Sequence, residues 1–223
     1  MVYSLNSKNL SASNEEKDLV IYVSENFKFG NHIAKIAAKA DSIVGRVKRT
    51  FTYMDKDMFN IIYKSIIRPH LEYAVQSWSP YLRKDINLLE QVQRRATSIV
   101  PELWGLSYED RLRALGLTTL EDRRLRGDLI EVYKMTHGLN NIDYTQFFTL
   151  HPEGQGAVTR GHQLKLSLPH IRTEKRRNFF SIRVIQHWIN LPAAVINSQN
   201  LNAFKTNYDN YIRQSMSRDA QEF

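Results

Sequence analysis

The sequence predicts a mainly helical fold: a helical bundle with a short N-terminal β-hairpin and a helical C-terminal extension. Apolar residues recur at helical spacing in most segments after residue 30. β-Branched and aromatic residues run together near the N-terminus, at residues 20–23. We expect the hairpin within residues 1–28, the bundle within 29–138, and an extension with a loop and two helices within 139–223.

The hairpin is predicted from two short apolar runs, residues 1–5 and 18–24, which flank the polar segment 6–17. Two strands alone are only marginally stable in water. We therefore expect the hairpin to belong to a larger sheet outside this chain and to open more readily than the helices.

The bundle is predicted from apolar stripes. A first helix should cover residues 33–49, and residues 62–100 should form a helix, a turn and a second helix. Pro69 lacks an amide proton and should kink or restart the first of these two, which Ser79-Pro80 then ends. The apolar stripe of the second comprises Ile86, Leu89, Val92, Ala96, Ile99 and Val100.

Capping residues set the remaining helix ends. Asp55 should cap one helix, and Ser107 should begin a short helix that ends near Gly116. A longer helix should open at Thr119 and close at Gly138. Beyond it we expect a loop over 140–161 with one helical turn at 144–148, an extended segment at 164–168, and helices over 179–188 and 201–212.

Charge and composition limit the classes of partner and the compartment that we expect. The chain carries a net charge of +8 and no cysteine. The charge favours a polyanion, nucleic acid before membrane, over an inert basic surface. The lack of cysteine excludes disulfides and Cys-type zinc sites. No apolar run approaches the roughly 20 residues of a membrane span, and no signal peptide is evident. We therefore expect an intracellular protein, in the nucleus or cytoplasm, that is not secreted.

No catalytic residue, metal ligand or cofactor is predicted. The adjacent acidic pairs are Glu15-Glu16, Glu109-Asp110 and Glu121-Asp122. The last two fit the first turns of helices, where carboxylates favour the positive end of the helix dipole, better than metal binding. The histidines are scattered and form no His-Glu-x-x-His pattern. No Gly-rich phosphate loop or Gly-x-Ser-x-Gly elbow occurs.

Basic clusters are the candidate binding residues, because arginine and lysine contact phosphates without reading sequence. The predicted nucleic-acid contacts are Arg46, Lys48, Arg49, Arg94, Arg95, Arg123, Arg124 and Arg126. A further cluster comprises Lys175, Arg176 and Arg177. The alternative for each cluster is a solvated helix face. Trp78, Tyr81 and Trp104 could stack on bases, although anchoring the core is the competing role.

A resemblance to a known family covers most of the chain. The segment RPHLEYAVQSWSPYLRKDINLLEQVQRRAT, residues 68–97, resembles the region just beyond the polymerase palm in non-LTR retrotransposon reverse transcriptases, most like the CR1 and Jockey lineages. Residues 106–138 are similar to the same lineages. So are the patterns TRG at 159–161, RTEKRRNFFSIRVIQHWINLP at 172–192, and LNAFK at 201–205.

The resemblance implies a polymerase-thumb-like bundle that grips a template–primer duplex through its backbone, without sequence readout. Fingers and palm of the parent RNA-directed DNA polymerase would then be partners outside this chain. The family's Tyr-Ala-Asp-Asp-type catalytic motif is absent from the sequence, so no enzyme activity is expected of this chain alone.

The hairpin resembles the family's primer-grip region, whose Asp-Leu-Gly core reads Asp18-Leu19-Val20 here, so close backbone approach to a primer is not expected of it. Two alternatives stay open. One is a non-catalytic protein-interaction module derived from a retroelement. The other is an independent nuclease, for which no carboxylate constellation is present.

Overall fold

The computed structural model describes residues 4–5, 8–9, 13–151 and 164–219. It is mainly helical, with a short antiparallel N-terminal hairpin, which confirms the predicted fold class at this level. The chain divides into two compact units. Unit 1 comprises Met1–Ala74 and Pro80–Leu120, and unit 2 comprises Val75–Ser79 and Glu121–Phe223. The main boundary between the two units follows Leu120. The TRG pattern lies outside the described residues.

The described residues near the N-terminus form four short strands in two antiparallel pairs. The strands β1 Ser4–Leu5 and β2 Lys8–Asn9 pair with each other, as do β3 Glu15–Asp18 and β4 Ile21–Ser24. The expected second strand is confirmed in β4. Its partner β3, however, comes from the polar segment that we predicted to separate two strands. Strand pairing depends on register and on the turn more than on apolarity, which explains the difference.

The turn between β3 and β4 is strained. Its two residues, Leu19 and Val20, have φ angles of +43° and +73°. Two-residue hairpin turns with both central residues in this region favour Asn-Gly, because β-branched side chains there clash with the backbone. Val20 therefore holds a branched side chain in a backbone conformation that favours glycine.

Unit 1 is otherwise built from helices. They are α1 Gly30–Thr50, α2 Lys56–Ile62, α3 Arg68–Glu72, α5 Arg83–Thr97 and α6 Tyr108–Leu115, with a 3₁₀ turn at Pro101–Leu103. Three predicted caps are present. Asp55 accepts from the Met58 amide at 2.8 Å, Ser107 accepts from the Asp110 amide at 3.1 Å, and Gly116 ends α6 with φ +61°.

Pro69 does not break the helix that contains it. A π-helical turn at Tyr63–Ile67 joins α2 to α3, and the Arg68 amide donates to the Tyr63 carbonyl, five residues earlier. The wider turn gives the backbone a pattern of hydrogen bonds that needs no amide proton from Pro69. The chain bends later, at Ala74, which has φ +51° and separates α3 from α4 Val75–Trp78.

The described part of unit 2 contains two long helices and several short ones. Besides α4 its helices are α7 Leu120–Thr136, α8 Glu174–Arg177, α9 Phe180–Arg183, α10 Ile185–Ile189, α11 Ala193–Ile196 and α12 Leu201–Asp219. The single helix predicted over 179–188 is divided at Val184. The predicted turn appears as a 3₁₀ turn at Tyr144–Gln146, and Leu166 bridges Leu150 in the predicted extended segment.

Aromatic rings and one buried ion pair hold unit 2 together. Tyr133 stacks on Phe204 at 4.4 Å, and its hydroxyl donates to the Ser198 carbonyl. Arg183 pairs with both carboxylate oxygens of the buried Asp128 at 2.8 and 3.0 Å. The same guanidinium donates to the carbonyls of Val75 and Gln76, so it fastens the short segment 75–79 into this unit.

Candidate nucleic-acid interface

Two parallel helices form the framework of the candidate interface in unit 1. Gly30, at the start of α1, lies beside the carboxylate of Asp85, at the start of α5. Farther along, Asp41 of α1 pairs with Arg95 of α5 at 2.7 Å. Contacts therefore advance in the same direction along both helices. Their C-terminal ends lie on the same side of unit 1.

Five of the eight predicted contact residues lie at that end: Arg46, Lys48, Arg49, Arg94 and Arg95, here called the basic end. All five are exposed. Within residues 13–151 and 164–215, no carboxylate pairs with Arg46, Lys48 or Arg49. Positive side chains also favour the negative end of a helix dipole, so two parallel helix ends explain part of this clustering.

Arg94 and Arg95 have different surroundings. Arg95 pairs with Asp41, so part of its charge is compensated within the unit. Arg94 lies over the ring of Tyr108, with its guanidinium carbon 4.4 Å from the ring centre. Glu90 of α5 accepts from the hydroxyl of Tyr108 and from the Leu120 amide.

A buried polar network lies beneath the basic end. Gln93 is fully buried and accepts from the hydroxyl of Tyr63. Its amide nitrogen donates to the hydroxyl of Tyr108 at 2.9 Å and to the Thr118 carbonyl at 3.0 Å. Burial raises the pKa of the Tyr63 and Tyr108 hydroxyls well above the usual value for tyrosine, so both hydroxyls stay protonated and can donate. The network holds Tyr108, and with it the surface on which Arg94 rests.

Aromatic side chains also lie near the basic end. Trp104 is 70% exposed, and its indole nitrogen donates to the Ser98 carbonyl at the end of α5. Tyr53, just beyond α1, is 61% exposed and donates to Glu102. Trp78 is buried, as expected of a core anchor, and Tyr81 is half-buried. Sequence reasoning did not single out Tyr53, although its place next to the basic end of a helix was a usable signal.

The other three predicted contacts lie on α7, in unit 2. Arg123 is half-buried, and Arg124 is only 3% exposed, so its guanidinium is not accessible to a phosphate in this conformation. Arg126 makes a two-pronged ion pair with Asp209 of α12, at 2.7 and 2.9 Å. Arg124 lies on the buried stripe of α7, at four-residue spacing with Leu120, Asp128 and Val132. The sequence prediction missed this spacing because it treated the arginines of this turn as one exposed cluster.

The acidic pairs considered for metal binding have other surroundings. Glu109-Asp110 and Glu121-Asp122 lie in the first turns of α6 and α7, as their capping role predicted. Glu15 accepts from Lys35 at 2.9 Å, and this contact lowers the pKa of its carboxyl. Among the described residues, no group of three or more histidine or acidic side chains is arranged to hold a metal ion. Nor is any helix in the described ranges both long and apolar enough to cross a bilayer.

Comparisons against models of protein families, curated proteins and solved structures found no match to this chain.

Proposed function

We propose that this chain is a thumb-like module of a non-LTR retrotransposon reverse transcriptase, and that it grips a nucleic-acid duplex through the phosphate backbone. The observation that carries the proposal is the basic end, where two parallel helices present arginine and lysine side chains together. Long flexible cations on rigid helices can follow a phosphate backbone, and they provide no fixed pattern of donors and acceptors for reading bases.

The most effective contacts should be Arg46, Lys48 and Arg49. Each of these cations can meet a phosphate without first leaving a carboxylate, whereas Arg95 has to release Asp41. Trp104 adds an exposed indole at the same end of unit 1, suited to stacking on an exposed base pair or base. Arg124 and Arg126 are left out of the proposed surface because they are engaged inside unit 2.

The test is the salt dependence of duplex binding. Each neutralised phosphate contributes about 0.9 to the log–log slope on B-form DNA, since bound counterions are released. Lys48→Gln/Arg49→Gln should therefore lower the slope by up to about 1.8 and weaken binding to all sequences alike. The matched control is Lys28→Gln/Lys84→Gln, which removes the same charge from exposed residues near the opposite ends of α1 and α5.

Equal slopes for the two double variants would overturn the assignment, because net charge and not the basic end would then govern binding. The chain alone should also extend no primer, since the polymerase motif is absent from its sequence.

The alternative function is a non-catalytic protein-interaction module derived from a retroelement. The exposed aromatic residues Tyr53 and Trp104 favour it, because such side chains are common anchors of protein interfaces. Binding to a protein partner that is insensitive to salt, together with no duplex binding at low salt, would support this alternative.

A further inference from the structure

Unit 2 contains a groove of about 700 Å³ that the proposed duplex grip does not use. Its lining includes Gln76, Met135, Gln146, Phe147, Arg176 and Phe179. Small-molecule sites in proteins commonly enclose roughly 300–1,000 Å³ and combine apolar walls with a few polar groups. The groove fits both descriptions.

Two pairs of consecutive phenylalanines shape one side of the groove. The inner rings, Phe148 and Phe180, pack edge to face with their centres 5.8 Å apart, and Phe148 is 3% exposed. The outer rings, Phe147 and Phe179, are 43% and 39% exposed. The inner pair therefore anchors the backbone on which the outer pair is carried. Two apolar rings are held at the solvent edge of the groove without being part of the core.

The charge around the groove is positive. The Arg176 guanidinium carbon lies 5.5 Å from the ring centre of Phe179. Three more exposed cations, Arg172, Lys175 and Arg177, lie in the same short segment, whose one carboxylate is Glu174. Glu131 also lines the groove, but its carboxylate accepts from Lys134 at 3.1 Å and from Asn140 at 2.9 Å. An anionic ligand therefore meets cations that outnumber the opposing carboxylates.

We infer that this groove binds an unpaired nucleotide of single-stranded nucleic acid. The base stacks on Phe147 or Phe179, and Arg176 with its neighbours holds the adjoining phosphates. The amides of Gln76 and Gln146 both donate and accept, so they suit the polar edges of a base. An acidic peptide would match the charge, but it would not use the two outer rings as stacking surfaces. This inference is independent of the duplex grip, because every residue in it belongs to unit 2.

The test is fluorescence anisotropy of the full chain with a short labelled single-stranded RNA that lacks self-complementarity. At least one of Phe147→Ala and Phe179→Ala should weaken binding about fivefold or more, the low end for one stacked base. Phe147→Tyr should retain affinity, since a phenol ring stacks as well. The matched control is Phe27→Ala, which removes a ring that is 49% exposed in unit 1 and should leave the affinity unchanged.

Two comparisons make the outcome decisive. Binding of a blunt duplex should be the same for Phe147→Ala and the unsubstituted chain, because a blunt duplex offers no unpaired base. Arg176→Gln should lower the salt slope for single strands by about 0.7. Unchanged RNA affinity in both alanine variants, with unchanged thermal unfolding, would overturn the inference. If the two alanine variants lose binding to a labelled polyglutamate peptide but retain binding to RNA, the inference would be overturned in favour of an acidic protein partner.

Failure here is distinguishable from failure of the duplex grip. The two proposals use different variants and different probes. Lys48→Gln/Arg49→Gln reports on the duplex, and the phenylalanine variants report on the single strand.

Discussion

The guanidinium of Arg95 lies 2.7 Å from the carboxylate of Asp41 and joins the two parallel helices of unit 1. Both side chains are partly exposed, so the pair should stabilise the fold by only about 0.2–1 kcal/mol. Its larger effect is on charge, because Asp41 offsets one of the five cations of the basic end.

Asp41→Asn should therefore strengthen duplex binding and steepen its salt dependence, because Arg95 becomes available to a phosphate. Arg95→Gln should weaken binding less than Arg49→Gln does. Duplex titrations at several salt concentrations measure both effects. Weaker binding by Asp41→Asn, with the protein still folded, would contradict the duplex assignment for this end of the helices.

The network around Gln93 predicts a second result. Gln93→Leu leaves the buried hydroxyls of Tyr63 and Tyr108 without a shared partner and should lower the free energy of unfolding by about 2–4 kcal/mol. Tyr63→Phe in the same chain should restore part of the loss, because one orphaned hydroxyl is removed. Denaturant unfolding gives both values. Additive effects in the double variant would show that the two groups do not interact.

The turn at Leu19-Val20 predicts a substitution that stabilises. Val20→Gly relieves a φ of +73° and should favour the closed hairpin by about 1 kcal/mol. Val23→Gly is the matched control, since Val23 lies in β4 and glycine weakens a strand. Hydrogen exchange of the hairpin amides should slow in the first variant and quicken in the second. Faster exchange in Val20→Gly would mean that the branched side chain contributes more by contact than it costs in strain.

Acidification should loosen the same hairpin. His32 of α1 is 2% exposed and accepts from the Tyr22 amide of β4 through its Nδ1 atom at 3.4 Å. Burial, and then the nearby Lys35, lower the pKa of His32 below its ordinary value of 6.5, while Glu15 opposes them. The closed form therefore binds a proton less readily than the open form. The stability that His32 contributes is present above pH 6.5 and is lost as the pH falls through 6.5 towards the lower value.

Exchange of the β4 amides, corrected for the intrinsic rate, should accordingly be faster at about pH 5.5 than at about pH 7.5. His32→Gln should abolish the difference. His170→Gln, which changes an exposed histidine in unit 2, should preserve it. A pH response that survives in His32→Gln would assign the effect to another group.

Among the two ion pairs compared in unit 2, breaking the pair of Arg183 with Asp128 should cause the larger loss of stability. Asp128 is 3% exposed, and burial raises the pKa of its carboxyl although Arg183 opposes the shift. Arg183→Leu strands that carboxylate and should cost about 3–5 kcal/mol, whereas Arg183→Leu/Asp128→Leu should recover much of the loss. Arg126→Leu, at the more exposed pair with Asp209, should cost about 1 kcal/mol or less. Equal losses for Arg183→Leu and Arg126→Leu would contradict this ranking.

Local chemistry made some features predictable from sequence. The caps at Asp55, Ser107 and Gly116 depend on one side chain or one backbone angle, so residue type suffices to predict them. The pairing of β3 with β4 depends on partners and register, and apolar runs alone gave the wrong partner strand for β4.

Tertiary partners decided the rest of the candidate site. Arg46, Lys48 and Arg49 could be named from sequence, but their position on the same side of unit 1 as Arg94 and Arg95 follows from the parallel packing of α1 and α5. Gln93 and Arg124 lie at helical spacing with the buried apolar residues of their helices. Polar and charged residues are usually assigned to solvent, so their burial was not expected.

The segment Val75–Ser79 belongs to unit 2 although the chain on both sides of it belongs to unit 1. During synthesis this segment leaves the ribosome well before Arg183, whose guanidinium its carbonyls at Val75 and Gln76 will accept. If unit 1 folds first during synthesis, residues 75–79 therefore remain unpacked until Arg183 has been made. A fragment that begins at Glu121 would contain Arg183 but lack two of its hydrogen-bond acceptors. The two units are interlaced along the chain, and no single cleavage separates them intact.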